Sequence, residues 1–147
     1  MKYFTSEWWE SGGEDETVIE KYRDYYSSIE SSLPKALQDF NSSHTLHDSN
    51  VKEVKCDFSK SNVHIKFRGW DMSLNNVVVY EVEFGGISSF SQSLPKGDYV
   101  ESELGDLGYW EYEVTKGGIE MRMLFASGAE FSIEFTSFNF NAVREKA

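Results

Sequence analysis

Hydrophobic side chains recur at helical spacing in the first third of the chain. The residues Val18, Tyr22, Tyr25, Tyr26, Ile29 and Leu33 follow one another at intervals of four, three, one, three and four positions. Side chains spaced in this way share one face of an α-helix with 3.6 residues per turn. The pattern therefore predicts an amphipathic helix that buries this stripe against a core.

The residues on either side of this stripe predict the start and the end of the helix. Ser11 and Glu14 match a capping box, in which a serine is followed three positions later by a glutamate. Pro34 ends or kinks the helix, and it also suits the first turn of a new one. We expect a tether over residues 1–13 and a helical segment over residues 14–41, with a short second helix after Pro34.

The hydrophobic period changes from 3.6 to 2 after residue 50, and a period of 2 is the spacing of a β-strand. The alternating segments are 51–58, 62–68, 77–84, 87–90, 107–115, 119–125 and 131–140. They predict six or seven strands over residues 51–140, joined by short turns. Residues 141–147 are expected to form a frayed tail.

Helices followed by a run of strands indicate an α+β protein, and 147 residues fit a single domain. We expect the N-terminal amphipathic helix and the short second helix to pack on a six- to seven-stranded, mostly antiparallel curved meander sheet. The pattern does not decide between one curved sheet and two.

The composition describes a folded, acidic chain. It is 39% hydrophobic and 16% aromatic, and its net charge is −11. Because nucleic acid and anionic membranes attract Lys and Arg, we expect neither as a partner. A basic protein surface is the partner that this charge permits.

The single cysteine and the N-terminus bear on the compartment. Cys56 has no second cysteine with which to form an internal disulfide, which fits a reducing compartment. It lies in a predicted strand, where we expect it to be buried as a small hydrophobe. The first residues lack the apolar stretch of a secretory signal, and no segment approaches 18 apolar residues. We therefore expect a cytoplasmic protein.

Motifs of catalysis are missing from the sequence, which has no G-x-S-x-G, P-loop or G-x-G-x-x-G pattern. We expect a protein that is not an enzyme and has no cofactor. His44, His47 and Asp48 are a weak candidate for a metal site, since the two histidines are three positions apart and paired helical ligands are four apart. The preferred interpretation is a turn closed by Asp48 with His47 at a sheet edge.

The most biased segment spans residues 98–113, which hold six acidic residues and no Lys or Arg. Acidic groups interleaved with aromatic ones suit a partner with a basic surface. The candidate contact residues are Asp98, Tyr99, Glu101, Glu103, Asp106, Glu111 and Glu113. The other interpretation is an acidic surface loop followed by a strand whose Glu111 and Glu113 lie on a solvated outer face.

Two short motifs resemble known proteins. The chain begins Met-Lys-Tyr-Phe-Thr, continues with Glu7-Trp8, and places Leu46-His47-Asp48 before a predicted β-hairpin. These features resemble a family of uncharacterised bacterial proteins, a domain of unknown function, whose members are compact, intracellular and without assigned activity. The Leu-His-Asp arrangement also resembles some small immunity proteins of polymorphic-toxin systems. The resemblance implies no catalytic residues.

These observations leave three functional hypotheses, of which the third and least favoured is a metal hydrolase that uses His44, His47 and Asp48. The first is a non-catalytic protein-binding module, in its narrower form an immunity-type inhibitor that masks a basic toxin. The second is a small-molecule-binding domain with an aromatic pocket between helix and sheet, lined by Tyr22, Tyr26, Trp110 and Tyr112. The sequence gives no oligomeric state and no identity for the partner or ligand.

Overall fold

A computed structural model of the protein describes residues 1–93, 95 and 104–146. In these residues the helices are α1 (Ser6–Glu10), α2 (Thr17–Ile29) and α3 (Lys35–Ser43), and a single 3-10 turn (Glu30–Ser32) follows α2. The strands are β1 (Asn50–Asp57), β2 (Asn62–Trp70), β3 (Val77–Gly85), β4 (Ser89–Gln92), β5 (Leu107–Thr115), β6 (Gly118–Phe125), β7 (Glu130–Phe135) and β8 (Ser137–Arg144). The α+β class is confirmed, and α3 is the short helix predicted after Pro34. Among the described residues, no helix combines the length and apolar character needed to cross a bilayer.

In the described residues the strands form two antiparallel sheets of four, which decides between the one sheet and the two that the sequence left open, and the eight strands exceed the six or seven that we expected. Sheet I has the order β1-β2-β3-β8, and sheet II has the order β4-β7-β6-β5. The meander is broken because β8 returns to sheet I, where Phe140 lies opposite Val82 of β3. This pairing extends to Arg144, so the expected frayed tail from residue 141 is wrong for residues 141–144.

One aromatic core fills the space between the inner faces of the two sheets. The alternation predicted for β2 and β3 is confirmed, because the inward residues Val63, Ile65, Phe67, Val78, Tyr80, Val82 and Phe84 are all buried. Phe84 of sheet I packs against Phe135 of sheet II, with ring centroids 5.0 Å apart. Phe40 of α3 packs edge-on against Tyr80, and α3 thereby closes one side of the core.

Helix α2 packs along the open edge of sheet II. The backbone N–H of Tyr112 donates to the hydroxyl of Tyr22 at 2.8 Å, and that of Val114 donates to the hydroxyl of Tyr25 at 3.1 Å. Strand β5 is the last strand of its sheet, and unpaired amides at a sheet edge are available to other chains. The tyrosine stripe of α2 therefore packs against the core and also satisfies part of this edge.

Residues 1–13 are a folded layer on sheet II, and the expected tether is wrong. Phe4 and Trp8 are buried, and the ring of Phe4 stacks on Tyr109 of β5 with centroids 5.3 Å apart. Thr5 caps α1, because its hydroxyl accepts a hydrogen bond from the N–H of Trp8 at 3.1 Å. The aromatic side chains of this segment supply the burial that holds it in place.

The capping box predicted at Ser11 and Glu14 is also wrong. Ser11 ends α1, since its backbone N–H donates to Glu7 at 3.1 Å. Helix α2 begins later, at Thr17, whose N–H and hydroxyl both donate to the carboxylate of Asp15. The hydrophobic pattern did not predict the short helix α1. Because α1 ends at Ser11, the longer helix α2 starts later than expected.

Cys56 is exposed, although we expected it to be buried. Its strand β1 lies at the edge of sheet I, where among the described strands it pairs with β2 alone. Phe58, which the alternation places on the same side as Cys56, is 93% exposed just past the strand. The alternation identified the strand correctly. It could not indicate that no other part of the described chain covers the end of β1 at Cys56 and Phe58.

Candidate binding surface

The outer face of sheet I ends at the loop that joins β2 to β3. Strand β2 finishes at Trp70 and β3 starts at Val77. The loop between them is closed by a hydrogen bond from the N–H of Asp71 to the carbonyl of Asn76 at 2.9 Å. Tyr80, which is fully buried, donates its hydroxyl to the carbonyl of Trp70 at 2.6 Å. The core therefore supports this end of the sheet from beneath.

Four exposed hydrophobic side chains collect at this end of the sheet. Val143 belongs to the group because β8 pairs with β3 and places it opposite Val79. We call the group Trp70, Met72, Leu74 and Val143 the hairpin surface; they are 36%, 57%, 52% and 53% exposed. Clustered exposed apolar side chains are typical of interaction sites, whereas single ones are ordinary.

Asp71 fixes the conformation of the loop. Its Oδ1 accepts from the hydroxyl of Ser73 at 2.8 Å and from the N–H of Asn75 at 3.0 Å, and its Oδ2 accepts from the side-chain amide of Asn76 at 2.7 Å. The hydrogen bonds from Asn76 and Ser73 hold the pKa of Asp71 well below its ordinary value. The loop is thus built around an ionised carboxylate.

Leu74 occupies an unfavourable backbone conformation in this loop. Its φ of 60° lies in the left-handed region. That region costs a side-chain-bearing L-residue roughly 1–2 kcal/mol, so Gly, Asn or Asp are the usual occupants. Because the side chain of Leu74 is half exposed, burial within the fold offsets little of this cost. Strained residues of this kind cluster at functional sites.

An open groove of about 640 Å³ adjoins the hairpin surface. Its lining residues are Arg68, Asn75, Asn76, Val77, Arg144, Glu145 and Lys146. Arg68 pairs with Glu145 through two contacts, at 2.9 Å and 3.3 Å. In the part of the groove formed by described residues, three cationic side chains and one carboxylate therefore lie together on a chain whose net charge is −11.

The candidate contact residues of the acidic segment fall into two groups. Four of them, Asp98, Tyr99, Glu101 and Glu103, lie outside the described residues. Asp106 accepts a hydrogen bond from the side chain of Asn50 at the start of β1. It therefore helps to join β5 of sheet II to β1 of sheet I.

Glu111 is fully buried, which corrects both its assignment to a solvated face and its assignment to a partner contact. Its carboxylate accepts hydrogen bonds from the backbone N–H groups of Tyr3 at 3.0 Å and Phe4 at 3.1 Å, as well as from that of Lys2. Strand alternation does place Glu111 on the outer face of sheet II. The N-terminal segment covers that face, and the local pattern could not indicate this.

Glu113 belongs to the same network of charges. Arg122 of β6 lies between three glutamates, pairing with Glu111 at 2.8 Å, with Glu113 at 2.7 Å and with Glu120. Glu113 also pairs with Lys2 at 3.1 Å. The hydrogen bond from Arg122 lowers the pKa of Glu113. The carboxylate of Glu113 therefore forms its ion pairs within the chain.

His44, His47 and Asp48 do not converge on a common point. The ring of His44 packs among those of Phe40, Tyr80 and Phe140, each with its centroid 5.5 Å away. His47 lies 3.3 Å from the carbonyl of Gly108 through Nδ1 and 3.6 Å from Asp48 through Nε2. In the part of the chain that the structure describes, no three His, Cys, Asp or Glu residues are arranged to hold a metal ion.

The aromatic residues expected to line a pocket pack against one another. Tyr112 is buried and donates its hydroxyl to Asn41 at 3.2 Å, while the side-chain amide of Asn41 donates to Tyr26 at 3.1 Å. The hydroxyl of Tyr22 accepts from the backbone of Tyr112, and burial raises its pKa. Trp110 is half-buried against the same core. Tyr22, Tyr26 and Tyr112 thus fill the contact between the helices and sheet II.

Sequence reasoning missed the hairpin surface. Its signal was the run from Trp70 to Leu74, in which apolar residues alternate with Asp71 and Ser73 in a turn-forming segment. The run looks like the end of a strand, and apolar residues at strand ends are ordinarily taken as core. Only the φ of Leu74 and the exposure of the side chains distinguish it from a continuing strand.

A comparison with family models identifies the protein family of the chain. A family described as a protein of unknown function, DUF4085, matches residues 2–136, so the chain belongs to that family. The comparison with curated proteins finds no match. The resemblance to an uncharacterised domain family is confirmed, and the matched range includes three of the four residues of the hairpin surface.

Proposed function

We propose that this member of the family is a non-catalytic protein-binding module whose contact site is the hairpin surface. The observation that carries the proposal is Leu74, an apolar side chain that is half exposed in a left-handed backbone conformation. The hydrogen bonds of Asp71 hold the loop in this state. Folding gains little from such a residue, whereas a partner that buries Leu74 would offset its strain.

The residue types of the hairpin surface suit a protein partner. Trp and Met are enriched in protein interfaces, and Trp is among the residues that contribute most to binding. Small-molecule sites are concave and enclose most of their ligand. The hairpin surface instead comprises exposed side chains of a loop and two strand ends, and none of them lines the neighbouring groove.

The net charge of −11 favours a partner that is basic overall, because opposite charges accelerate the encounter. This part of the proposal rests on charge alone, since Asp106, Glu111 and Glu113 make contacts within the chain. Association that slows strongly as salt is raised would support it, and a salt-independent rate would contradict it.

An immunity-type inhibitor is the narrower form of the proposal. Its distinguishing prediction is that the partner is an enzyme whose activity falls when it binds this chain. We further propose that the protein works in the cytoplasm, because an exposed thiol such as Cys56 persists in a reducing compartment.

Affinity capture with three forms of the full chain tests the proposal. The forms are the wild type, the double variant Met72→Ser/Leu74→Asn, and the control Phe58→Ser. The control removes an exposed aromatic side chain just before β2, at the other end of that strand from Trp70. We expect a stoichiometric protein from the native extract to be retained by the wild type and the control and lost from the double variant. Retention of the same proteins by all three forms, or by none, would contradict the proposal.

A further inference from the structure

The groove beside the hairpin surface differs in charge from the rest of the chain. Among the described residues, Arg68, Arg144 and Lys146 line it together with one carboxylate, that of Glu145. We propose that the groove receives an acidic segment of the protein partner, whose carboxylates lie beside the apolar residues that contact the hairpin surface. This inference rests on the proposed function and adds the chemistry of the partner's contact segment.

Two of the three cations are placed to pair with a partner's carboxylates. Arg68 is already balanced by Glu145, at 2.9 Å. Arg144 donates instead to the neutral side-chain carbonyl of Asn76. Neither Arg144 nor Lys146 has an ion pair with any residue that the structure describes, and both are exposed. An arginine with spare donors can bind a carboxylate through two parallel hydrogen bonds.

The loop positions one of these cations. Asp71 accepts from the side-chain amide nitrogen of Asn76 at 2.7 Å, which fixes the orientation of that side chain. The oxygen of the same amide then accepts from Arg144. The Asp71 carboxylate, which holds the loop around Leu74, thus also orients Arg144. One side chain therefore positions residues of both the hairpin surface and the groove.

One extended segment of a partner can contact both regions. Trp70 of the hairpin surface lies directly opposite Val77 of the groove in the pairing of β2 with β3. Directly opposite residues in antiparallel strands have Cβ atoms about 5 Å apart. A segment with apolar and acidic side chains close together in sequence therefore matches the surface.

The charge of the chain also favours an acidic peptide segment in the groove over a nucleic acid or a second copy of the chain. A nucleic acid would bring its phosphates against the acidic remainder of the chain, and two copies of the chain would repel each other at −11 each. A short acidic segment responds mainly to nearby cations, because charges more than about 8 Å apart are largely screened at physiological salt. A local acidic segment is compatible with a partner that is basic elsewhere.

Selection of binding peptides tests the inference without a known partner. A library of random dodecapeptides displayed on phage is selected on the full wild-type chain, and synthetic copies of the recovered peptides are titrated by fluorescence anisotropy. The groove variant is Arg144→Glu/Lys146→Glu. The control is Lys60→Glu/Lys116→Glu, which makes the same change in net charge at exposed turns elsewhere. The hairpin variant is Met72→Ser/Leu74→Asn.

We expect peptides enriched in Asp and Glu next to aliphatic or aromatic residues. They should bind the wild type and the control alike and the groove variant at least about tenfold more weakly, because a repulsive charge replaces an attractive one. Peptides without acidic enrichment, no binding peptides, or equal affinity for the groove variant and the control would overturn the inference. A concentration-dependent dimer of the wild type that the groove variant abolishes would also overturn it, by making a second copy the occupant.

The hairpin variant separates this inference from the proposed function. Peptides that lose affinity for the hairpin variant but not for the groove variant overturn the acidic segment and leave the hairpin surface as a binding site. Peptides that bind both variants as tightly as the wild type overturn both proposals.

Discussion

Glu111 and Arg122 lie opposite each other on neighbouring strands of sheet II, with Oε1 of the carboxylate 2.8 Å from Nε of the guanidinium. The Glu111 carboxylate is fully buried and also accepts hydrogen bonds from the backbone N–H groups of the first residues of the chain. Burying a carboxylate is costly unless it is paired and hydrogen-bonded, and this one is both. Glu111 therefore joins the N-terminal segment to the sheet.

Replacing Glu111 with Gln should destabilise the protein by about 3 kcal/mol. Arg122 loses its buried carboxylate partner, and the amide NH2 of the glutamine, itself a donor, can face backbone N–H groups that need an acceptor. Urea denaturation followed by tryptophan fluorescence measures the change. Glu53→Gln is the control, since Glu53 pairs with Lys55 at the surface, and its midpoint should match the wild type. An unchanged midpoint for Glu111→Gln would show that the buried pair contributes little.

The hydroxyl groups of α2 give a second prediction. Tyr22→Phe removes the acceptor of the Tyr112 backbone N–H and should cost about 1–2 kcal/mol, because a buried donor then lacks a partner. Tyr25→Phe removes the acceptor of the exposed Val114, where water can substitute, and should cost less. Equal unfolding midpoints for the two variants would contradict the role of Tyr22 at the edge of β5.

The strain at Leu74 predicts a substitution that stabilises the fold and weakens binding. Leu74→Asn should raise the free energy of unfolding by about 0.5–1 kcal/mol, because Asn tolerates the left-handed conformation better than Leu. Met72→Asn, also in the loop but without a positive φ, should bring no such gain. Chemical denaturation compares the two, and a loss of stability in Leu74→Asn would mean that its side chain contributes to the fold.

The burial of His44 leads us to expect that the free energy of unfolding depends on pH. Burial among aromatic rings lowers its pKa, so the fold favours the neutral imidazole. Below the ordinary histidine pKa of about 6.5 the unfolded chain binds more protons, so stability is full above this value and is lost as the pH falls toward the folded pKa. The decline is therefore expected as the pH falls below about 6.5, which lies above the ordinary range in which Asp71 and Glu113 titrate.

The variant His44→Leu should have a weaker decline in melting temperature over this pH range than the wild type. His47→Leu is the matched control, because His47 is half exposed, and it should follow the wild-type curve. Parallel curves for the wild type and His44→Leu would remove His44 as the cause.

Much of the fold could be predicted from local patterns. The alternation in β2 and β3 identifies both strands and their inward faces, because one side of these two central strands packs on the core over their whole length. The stripe that includes Tyr22 and Tyr26 likewise identifies α2. These predictions succeeded because the burial of each residue depends on its position within its own helix or strand.

The remaining features depend on contacts between distant parts of the chain. Glu111 is polar on an outer face, and only the return of residues 1–4 across sheet II explains its burial. Cys56 is apolar on an inner face, and only its place at the edge of sheet I explains its exposure. Within the hairpin surface, Leu74 is half exposed in a left-handed backbone conformation, which no hydrophobic pattern encodes.

A protein partner is proposed to bind at the hairpin surface. The most direct test is the dissociation constant of the captured partner, measured by titration calorimetry against the wild type, Met72→Ser/Leu74→Asn and Phe58→Ser. Since the residues that dominate interfaces contribute about 2 kcal/mol or more, we predict binding at least about thirtyfold weaker for the double variant and near wild-type binding for Phe58→Ser. Equal dissociation constants for the two variants would contradict the claim.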